Sequence, residues 1–359
     1  MKSQIIVPSS SLWFDTVQQL RHDIYQLPEY VALEANRTNT ISEAILISAE
    51  DKIFFAPYLI RSCKELASAA SFPTKTFDII SPYGYPGILM NAAAVNPPEF
   101  PKLALEELKR ILAARGVCSG FFRLHPILNH NWREIFPPNT FTLNGETVSV
   151  NLKLSSTEIW HQTHSSQRNK INKCKRLGMT AKIVSFLEYI DEFATVYQET
   201  MERVGAANSY FLFDRQYFLK LQKFLLDKIH LCIVELDGEI ASAGIYTECS
   251  GIVQGLLGGT RNKFYRFSPS SLETDYVRFW ARERGNEFLH LGGGVGGSRD
   301  SLYQFKASFS QQRHEFLTLR LIIDSEKYDR LVKVRAELLN TQVESLLSSN
   351  FFPAYRATI

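Results

Sequence analysis

Along the chain, apolar positions gather into short runs and helical stripes that give a reading of strands and helices in turn. Leu12 to Leu20 predicts an early helix, and Leu27-Pro28-Glu29-Tyr30 breaks or redirects it. Ile45 to Ile47 and Lys52 to Ile60 predict a strand pair, with Glu50-Asp51 as the turn. In Ser81-Pro82-Tyr83-Gly84-Tyr85-Pro86-Gly87 the prolines fix φ and the glycines relax it, so a shaped loop is expected. Pro98 to Ala114 carries Leu103, Leu105, Leu108, Ile111 and Leu112 on an imperfect helical face, and Gly116 would stop it. Gly120 to His125 and Thr147 to Leu152 read as strands.

The second half has the clearer pattern. After Thr157 to Gly178 come helical stretches at Phe186 to Val204 and Arg215 to Lys228. Three strands follow, His230 to Leu236, Ile240 to Glu248 and Ile252 to Leu257, with Asp237-Gly238 and Ser250-Gly251 as turn signals. Pro269 to Arg284 predicts a helix, Glu287 to Leu291 and Glu315 to Ile323 strands, and Glu326 to Leu347 a tail helix packing across the domains. Helix and strand in repeated alternation make the fold class α/β with mixed, α+β-type sheets.

Length turns this pattern into a domain count. With about 150 residues per domain, 359 residues predict two domains, or one large one. Aromatic residues at 12% and charged residues at 21% exclude an acidic, aromatic-poor disordered chain. A net charge of +3 does not mark a dedicated nucleic-acid binder, although a local basic patch still matters. The five cysteines, Cys63, Cys118, Cys174, Cys232 and Cys249, are scattered without a C-x-x-C pair, so neither a disulfide framework nor a metal site is expected. No apolar stretch reaches the length of a membrane span, and the expected location is cytoplasmic.

Three segments carry candidate chemistry. From His161 through Lys182 the chain holds six bases, Arg168, Lys170, Lys173, Lys175, Arg176 and Lys182, and no acid. Such a run is a solvated helix face, a phosphate contact or, least favoured, a nucleic-acid contact; Arg offers a fork to phosphate and Lys a movable charge. The second segment is Leu256 to Glu273, where a strand leaves into a loop with Arg261, Lys263 and Arg266 and then enters a helix. Ser268 before Pro269, or Ser270 with Glu273 as a capping box, would start that helix and present N–H groups to a diphosphate, with Ser271 beside them. The third is Leu289 to Phe309. Gly292, Gly293, Gly294, Gly296 and Gly297 permit close backbone approach after a strand, and Lys306 follows between Phe305 and Phe309. Neither a Gly-Lys-Ser/Thr loop nor an early Gly-x-Gly-x-x-Gly unit is present, which argues against ATP or nicotinamide binding. His290 reads as a satisfied core histidine, and Asp300 as an orienting group or a base.

Taken in order, these pieces resemble the FemAB-like branch of the GNAT acyltransferases, the peptidoglycan-bridge aminoacyltransferases and their relatives. The resemblance rests on Arg168 to Gly178, Glu235 to Ala241, Phe267 to Leu272, Ala281 to Gly285 and Leu289 to Gly294 leading to Leu302 to Phe309. Tyr25 to Tyr30, Ser81 to Gly87 and Phe122 to Pro126 add to it, so it covers about residues 20 to 325, with Cys174 standing where Ala is common. It implies tandem GNAT-like domains with a C-terminal helix: residues 1–152 on the acceptor side, 153–324 on the donor side and 325–359 as helix and tail. It further implies acyl transfer from a thioester or an aminoacyl-tRNA ester to an amine. The long coiled-coil arm of some relatives has no room between Ser185 and His230.

The expected activity is therefore N-acyl transfer to an amine of a sugar, nucleotide-sugar or cell-envelope and polysaccharide precursor. No tightly bound cofactor or metal is expected, and acyl-CoA is the expected co-substrate. Lys306 and Asp300 are the catalytic candidates, and Arg261, Lys263, Arg266, Ser268, Ser270 and Ser271 the donor-binding ones. Tyr30, Tyr83, Tyr85, Arg168, Lys170, Lys173, Gly292, Gly293 and Gly294 are the substrate-binding candidates. The rivals are an aminoacyltransferase using aminoacyl-tRNA, as in peptidoglycan-bridge synthesis, and a noncatalytic RNA or polyanion binder.

Overall fold

The computed structural model describes all residues except 70–74, 97, 208–212 and 359. The chain divides into two compact units, residues 1–144 with 316–359, and residues 145–315.

The first unit opens with β1 (Lys2–Ile6), α1 (Ser11–Gln18) and α2 (Pro28–Thr38). Pro28 starts a helix here, because a residue without an N–H costs nothing in the first helical turn. There follow β2 (Ile41–Ala49), β3 (Lys52–Ser62), α3 (Lys64–Ala69), β4 (Phe77–Ile80), β5 (Leu89–Met90), α4 (Ala92–Val95), α5 (Glu99–Ala114), β6 (Val117–Arg123) and α6 (Trp132–Ile135).

The second unit takes most of β7 (Thr142–Asn151), then α7 (Ser156–Gln162), α8 (Ser165–Arg176), β8 (Thr180–Val184), α9 (Ile190–Arg203) and α10 (Arg215–Leu225). It continues through β9 (Ile229–Leu236), β10 (Glu239–Cys249), β11 (Ile252–Thr260), α11 (Pro269–Glu283), β12 (Phe288–Gly292) and α12 (Ser301–Ala307). Most of β13 (Arg313–Ile322), with α13 (Ser325–Leu338) and α14 (Val343–Ser348), returns to the first unit. The tail is two helices where one was expected. Asn340, at φ 51, adopts the left-handed turn that an asparagine tolerates, and Thr341 N–H donates back to the Ala336 carbonyl at 2.9 Å.

The two units repeat one strand plan. In the first, β1-β2-β3-β4 pair antiparallel, β4 pairs parallel to β6 across the α5 crossover, and β6 pairs antiparallel to β13. In the second, β8-β9-β10-β11 pair antiparallel, β11 pairs parallel to β12 across the α11 crossover, and β12 pairs antiparallel to β7. Each unit has its own apolar core. Phe54, Leu108, Phe122, Trp132 and Leu319 lie in the first, and Val150, Ile171, Val253, Val277 and Leu289 in the second. The tail adds a third cluster in which Tyr328, Leu331 and Tyr355 cover Cys63 and Cys118. Among the described residues no helix is long and apolar enough to cross a membrane.

Candidate functional site

The site of the second unit grows out of its parallel pair. β11 and β12 are paired only at Ile252/Phe288, Val253/Leu289 and Gln254/His290. Beyond that point β11 runs on to Thr260 with β10 as its strand partner, so β11 and β12 part. A polar lock sits at the apex. Gln254 Nε2 donates to the Gly255 carbonyl at 2.8 Å, which turns its Oε1 to accept from His290 Nδ1. His290 Nε2 is thereby left to accept the Thr147 hydroxyl at 2.9 Å. His290 is the satisfied core histidine the sequence suggested, placed at the opening of the parallel joint.

On the β12 side the glycine-rich segment is built for close approach. A Cβ on Gly293 would meet the Glu146 carbonyl at 2.8 Å, and one on Gly294 would meet the Ser298 carbonyl at 2.1 Å. Asp300 caps α12, accepting from Tyr303 N at 2.8 Å with Oδ1 and from Val295 N at 2.9 Å with Oδ2. Partial burial pushes its carboxyl up, but these backbone donors prevail and hold it below the usual carboxylate range. Lys306, half-buried on α12, donates to the Gly293 carbonyl at 2.6 Å. Burial pushes its ammonium down to about 8, against the pull of Asp300. Lys306, Asp300, Gly293 and Gly294 are thus brought together at the end of β12.

Glu146, Tyr303 and Arg313 form a brace that sequence reasoning missed, because its members lie far apart in the chain. Tyr303 Oη donates to Glu146 at 2.8 Å, Arg299 donates to the same carboxylate at 2.9 Å, and Arg313 Nε donates to Tyr303 Oη at 3.2 Å. The Tyr303 hydroxyl, seconded by Arg299, holds the Glu146 carboxyl below its ordinary range.

The donor-binding candidates are already engaged. Arg261 pairs with Glu199 at 3.4 Å and Lys263 with Glu239 at 2.7 Å, on the wall of a cavity of about 780 Å³ that Glu192 and Glu235 also line. Arg266 lies over the Phe267 ring, 4.6 Å from its centroid. Neither expected serine cap forms. Ser268 stands at φ 58 at the N-cap, and its side chain makes no hydrogen bond to the helix N–H groups. Ser270 Oγ pairs with Thr260 Oγ1 at 2.6 Å, and Glu273 is buried against the Tyr246 hydroxyl at 2.9 Å. Ser271 Oγ accepts from Gln167 Nε2 at 2.7 Å. By contrast, Arg168, Lys170 and Arg176 on α8 have no carboxylate partner among the described residues, and Lys173 lies 5.6 Å over the Phe267 ring.

The tyrosine candidates belong to the first unit. Tyr30 is buried and donates to the Tyr83 carbonyl at 3.2 Å, while Tyr85 packs edge-on against Phe316 at 5.4 Å. Behind them His125 Nδ1 accepts the N–H groups of Ile127 and Leu128 at 3.1 Å each, so its proton sits on Nε2 and is donated to Asp23 at 3.1 Å. Gly87, at φ 61, must be glycine: a Cβ would lie 2.1 Å from Asn129 Oδ1.

Residues 165–307 match the family model of the acetyltransferase (GNAT) domain. The chain carries a GNAT acyltransferase domain. Its fold is that of the FemAB-like branch: FemX superposes with a TM-score of 0.68 at 15% identity, covering 91% of this chain and 99% of FemX. The C-terminal domain of a putative lysylphosphatidylglycerol synthetase from Agrobacterium fabrum superposes with a TM-score of 0.53 at 14% identity, over 86% of this chain and 90% of that one. A conserved protein of unknown function from Bacteroides thetaiotaomicron gives 0.52 at 10%, over 82% and 89%. No curated protein matches the sequence. The GNAT domain match begins at α8 and ends at Ala307, enclosing the free cations, the parted strands, the glycine-rich segment and Lys306.

Proposed function

We propose that the chain is an N-acyltransferase that moves an acyl group from acyl-CoA onto the amine of a sugar, nucleotide-sugar or cell-envelope and polysaccharide precursor. The observation that supports this most is Lys306, a desolvated cation held at the mouth of the parted β11–β12 pair within the GNAT domain. The amine nitrogen attacks the donor carbonyl carbon, the N–C bond forms and the thioester C–S bond breaks. The proton lost by nitrogen ends on the departing thiolate. Negative charge grows on the carbonyl oxygen, and a fixed cation in a water-poor pocket is worth most there. In this reading Lys306 supplies that charge. Asp300 is a positioning residue that fixes α12 and the glycine-rich turn, and Gly292, Gly293 and Gly294 line the donor. Tyr30, Tyr83 and Tyr85 shape the loop on the acceptor side.

Lys306→Ala should lower kcat by about a hundredfold with the thermal midpoint little changed. The pH profile adds a sign. The ammonium is present below about 8 and lost as pH rises through it, so kcat/KM should fall on the alkaline side near that value. Lys306→Arg should carry the falling limb upward. Wild-type turnover in Lys306→Ala would refute the role.

A second reading, aminoacyl-tRNA as donor, is favoured by one contrast: the loop cations Arg261 and Lys263 are paired with acids, whereas Arg168, Lys170 and Arg176 are not. RNase-sensitive activity in a reconstituted extract supports it. Turnover with purified acyl-CoA alone rejects an obligatory tRNA.

A further inference from the structure

We propose that the cavity between the start of α8 and the end of α12 is a phosphoester-binding subsite, which anchors the phosphorylated part of a substrate while its reacting end lies at Lys306. The cavity measures about 580 Å³, within the range of small-ligand sites, and lies wholly within the second unit. Its lining is unusual in two respects. Among the described residues no carboxylate lines it, and Ala307 is the one apolar side chain along it. Five polar side chains that converge on it, His161, Gln162, Arg168, Gln304 and Gln311, have no hydrogen-bond partner among the described residues. Gln162 and Arg168 are half-buried, where polar groups normally find partners, and His161, Gln304 and Gln311 stand exposed around them, open to a polar ligand.

The chemistry of that ligand follows from the donors. Arg168 offers an uncommitted guanidinium fork to an anionic oxygen. Arg313, on the opposite wall, is held rigid by the Ser310 carbonyl at 2.7 Å and the Gln312 carbonyl at 3.0 Å. Amides, hydroxyls and two histidines fill the rest of the lining, which suits the hydroxyls and ring edges of a sugar or nucleoside. Ala307 and Ser308 in the wall directly follow Lys306, so an anchored phosphate and the transfer site are adjacent. The role in substrate anchoring rests on the transferase reading, whereas the binding itself does not.

Titration calorimetry on the intact protein tests it, with uridine diphosphate in one arm and a short single-stranded RNA in the other. The wild type should bind at least one. Arg168→Ala and Gln311→Glu should each weaken that binding about tenfold or more. Lys223→Ala, on the remote α10, should change it less than about twofold. An Arg168 effect on uridine diphosphate identifies a small phosphorylated substrate, and one on RNA alone identifies a phosphodiester chain. Absence of wild-type binding in both arms, or Arg168→Ala binding as tightly as wild type, overturns the proposal. Neither arm contains acyl donor or amine, so Lys306→Ala should bind normally even where transfer is abolished, and failure of the transferase reading leaves the binding result standing.

Discussion

The two units share a strand plan and differ at its parallel joint. In the first, β4 and β6 stay paired through Ile80/Phe121, and the following loop continues the contact, Ser81 N–H donating to the Phe121 carbonyl and Gly87 N–H to the Arg123 carbonyl, each at 2.8 Å. In the second, pairing stops at Gln254/His290 and the strands part. The crossover helices differ in the same direction. Buried positions of α5 are apolar, Phe100, Ala104, Leu105, Leu108 and Leu112 among them, whereas α11 buries Ser271, Glu273, Thr274, Asp275 and Arg278. A closed joint needs only packing. An open one places polar backbone and side chains where no parallel ladder pairs them, and these are tied from beneath. Topology alone therefore does not make a site; the length of the parallel ladder and the polarity under its crossover do.

The closed joint of the first unit can be broken at His125. It is fully buried and bonds Asp23, Ile127 and Leu128. His125→Ala strands a buried carboxylate and two N–H groups, an expected loss of about 4 kcal/mol. Urea unfolding with the first unit's transition resolved checks this. A loss under about 1 kcal/mol would mean the loop is held by its aromatic packing instead, and the contrast between units would weaken.

The open joint should reveal itself through pH. Burial pushes Glu273 up to about 7, against the hydrogen bond of the Tyr246 hydroxyl. Its folded-state value lies above that of the unfolded chain, so its favourable contribution is complete below about 4.5 and is lost as pH rises through about 7. The size is about 3 kcal/mol. Glu273→Gln should flatten that slope in the second unit and leave the first unaffected. An unchanged slope in the variant would remove Glu273 as its source.

How much of this was legible in the sequence depends on range. The hairpin at Asp237-Gly238, the α11 start at Pro269 and the glycine run were readable because each is local turn or cap chemistry. Strands β1 and β4 were missed: β1 is largely exposed and β4 spans only four residues, so neither shows a periodic signal. In the site, Lys306 beside the glycine-rich turn could be anticipated, since thirteen positions separate it from Gly293. The pairing of Arg261 with Glu199 and of Lys263 with Glu239 could not, because a run of bases says nothing about acids 62 and 24 positions away. The serine caps failed for a similar reason. The Thr260 hydroxyl and the Gln167 amide reach Ser270 and Ser271 from other elements.

The smallest expected effect is also the sharpest test of the claim that the second unit's loop cations are spent. Lys263 and Glu239 are both well exposed, at 67% and 59%. An exposed pair of this kind contributes little, at most about 0.5 kcal/mol. Glu239→Gln should thus leave the unfolding midpoint almost unmoved while freeing one cation beside the α11 entry. If that loop has no part in holding the donor, the KM for acyl-CoA should stay within about twofold, a difference of about 0.4 kcal/mol. A several-fold fall in KM with stability unchanged would show a diphosphate site masked by its own carboxylate, and would place the donor's anchor at the Arg261 loop.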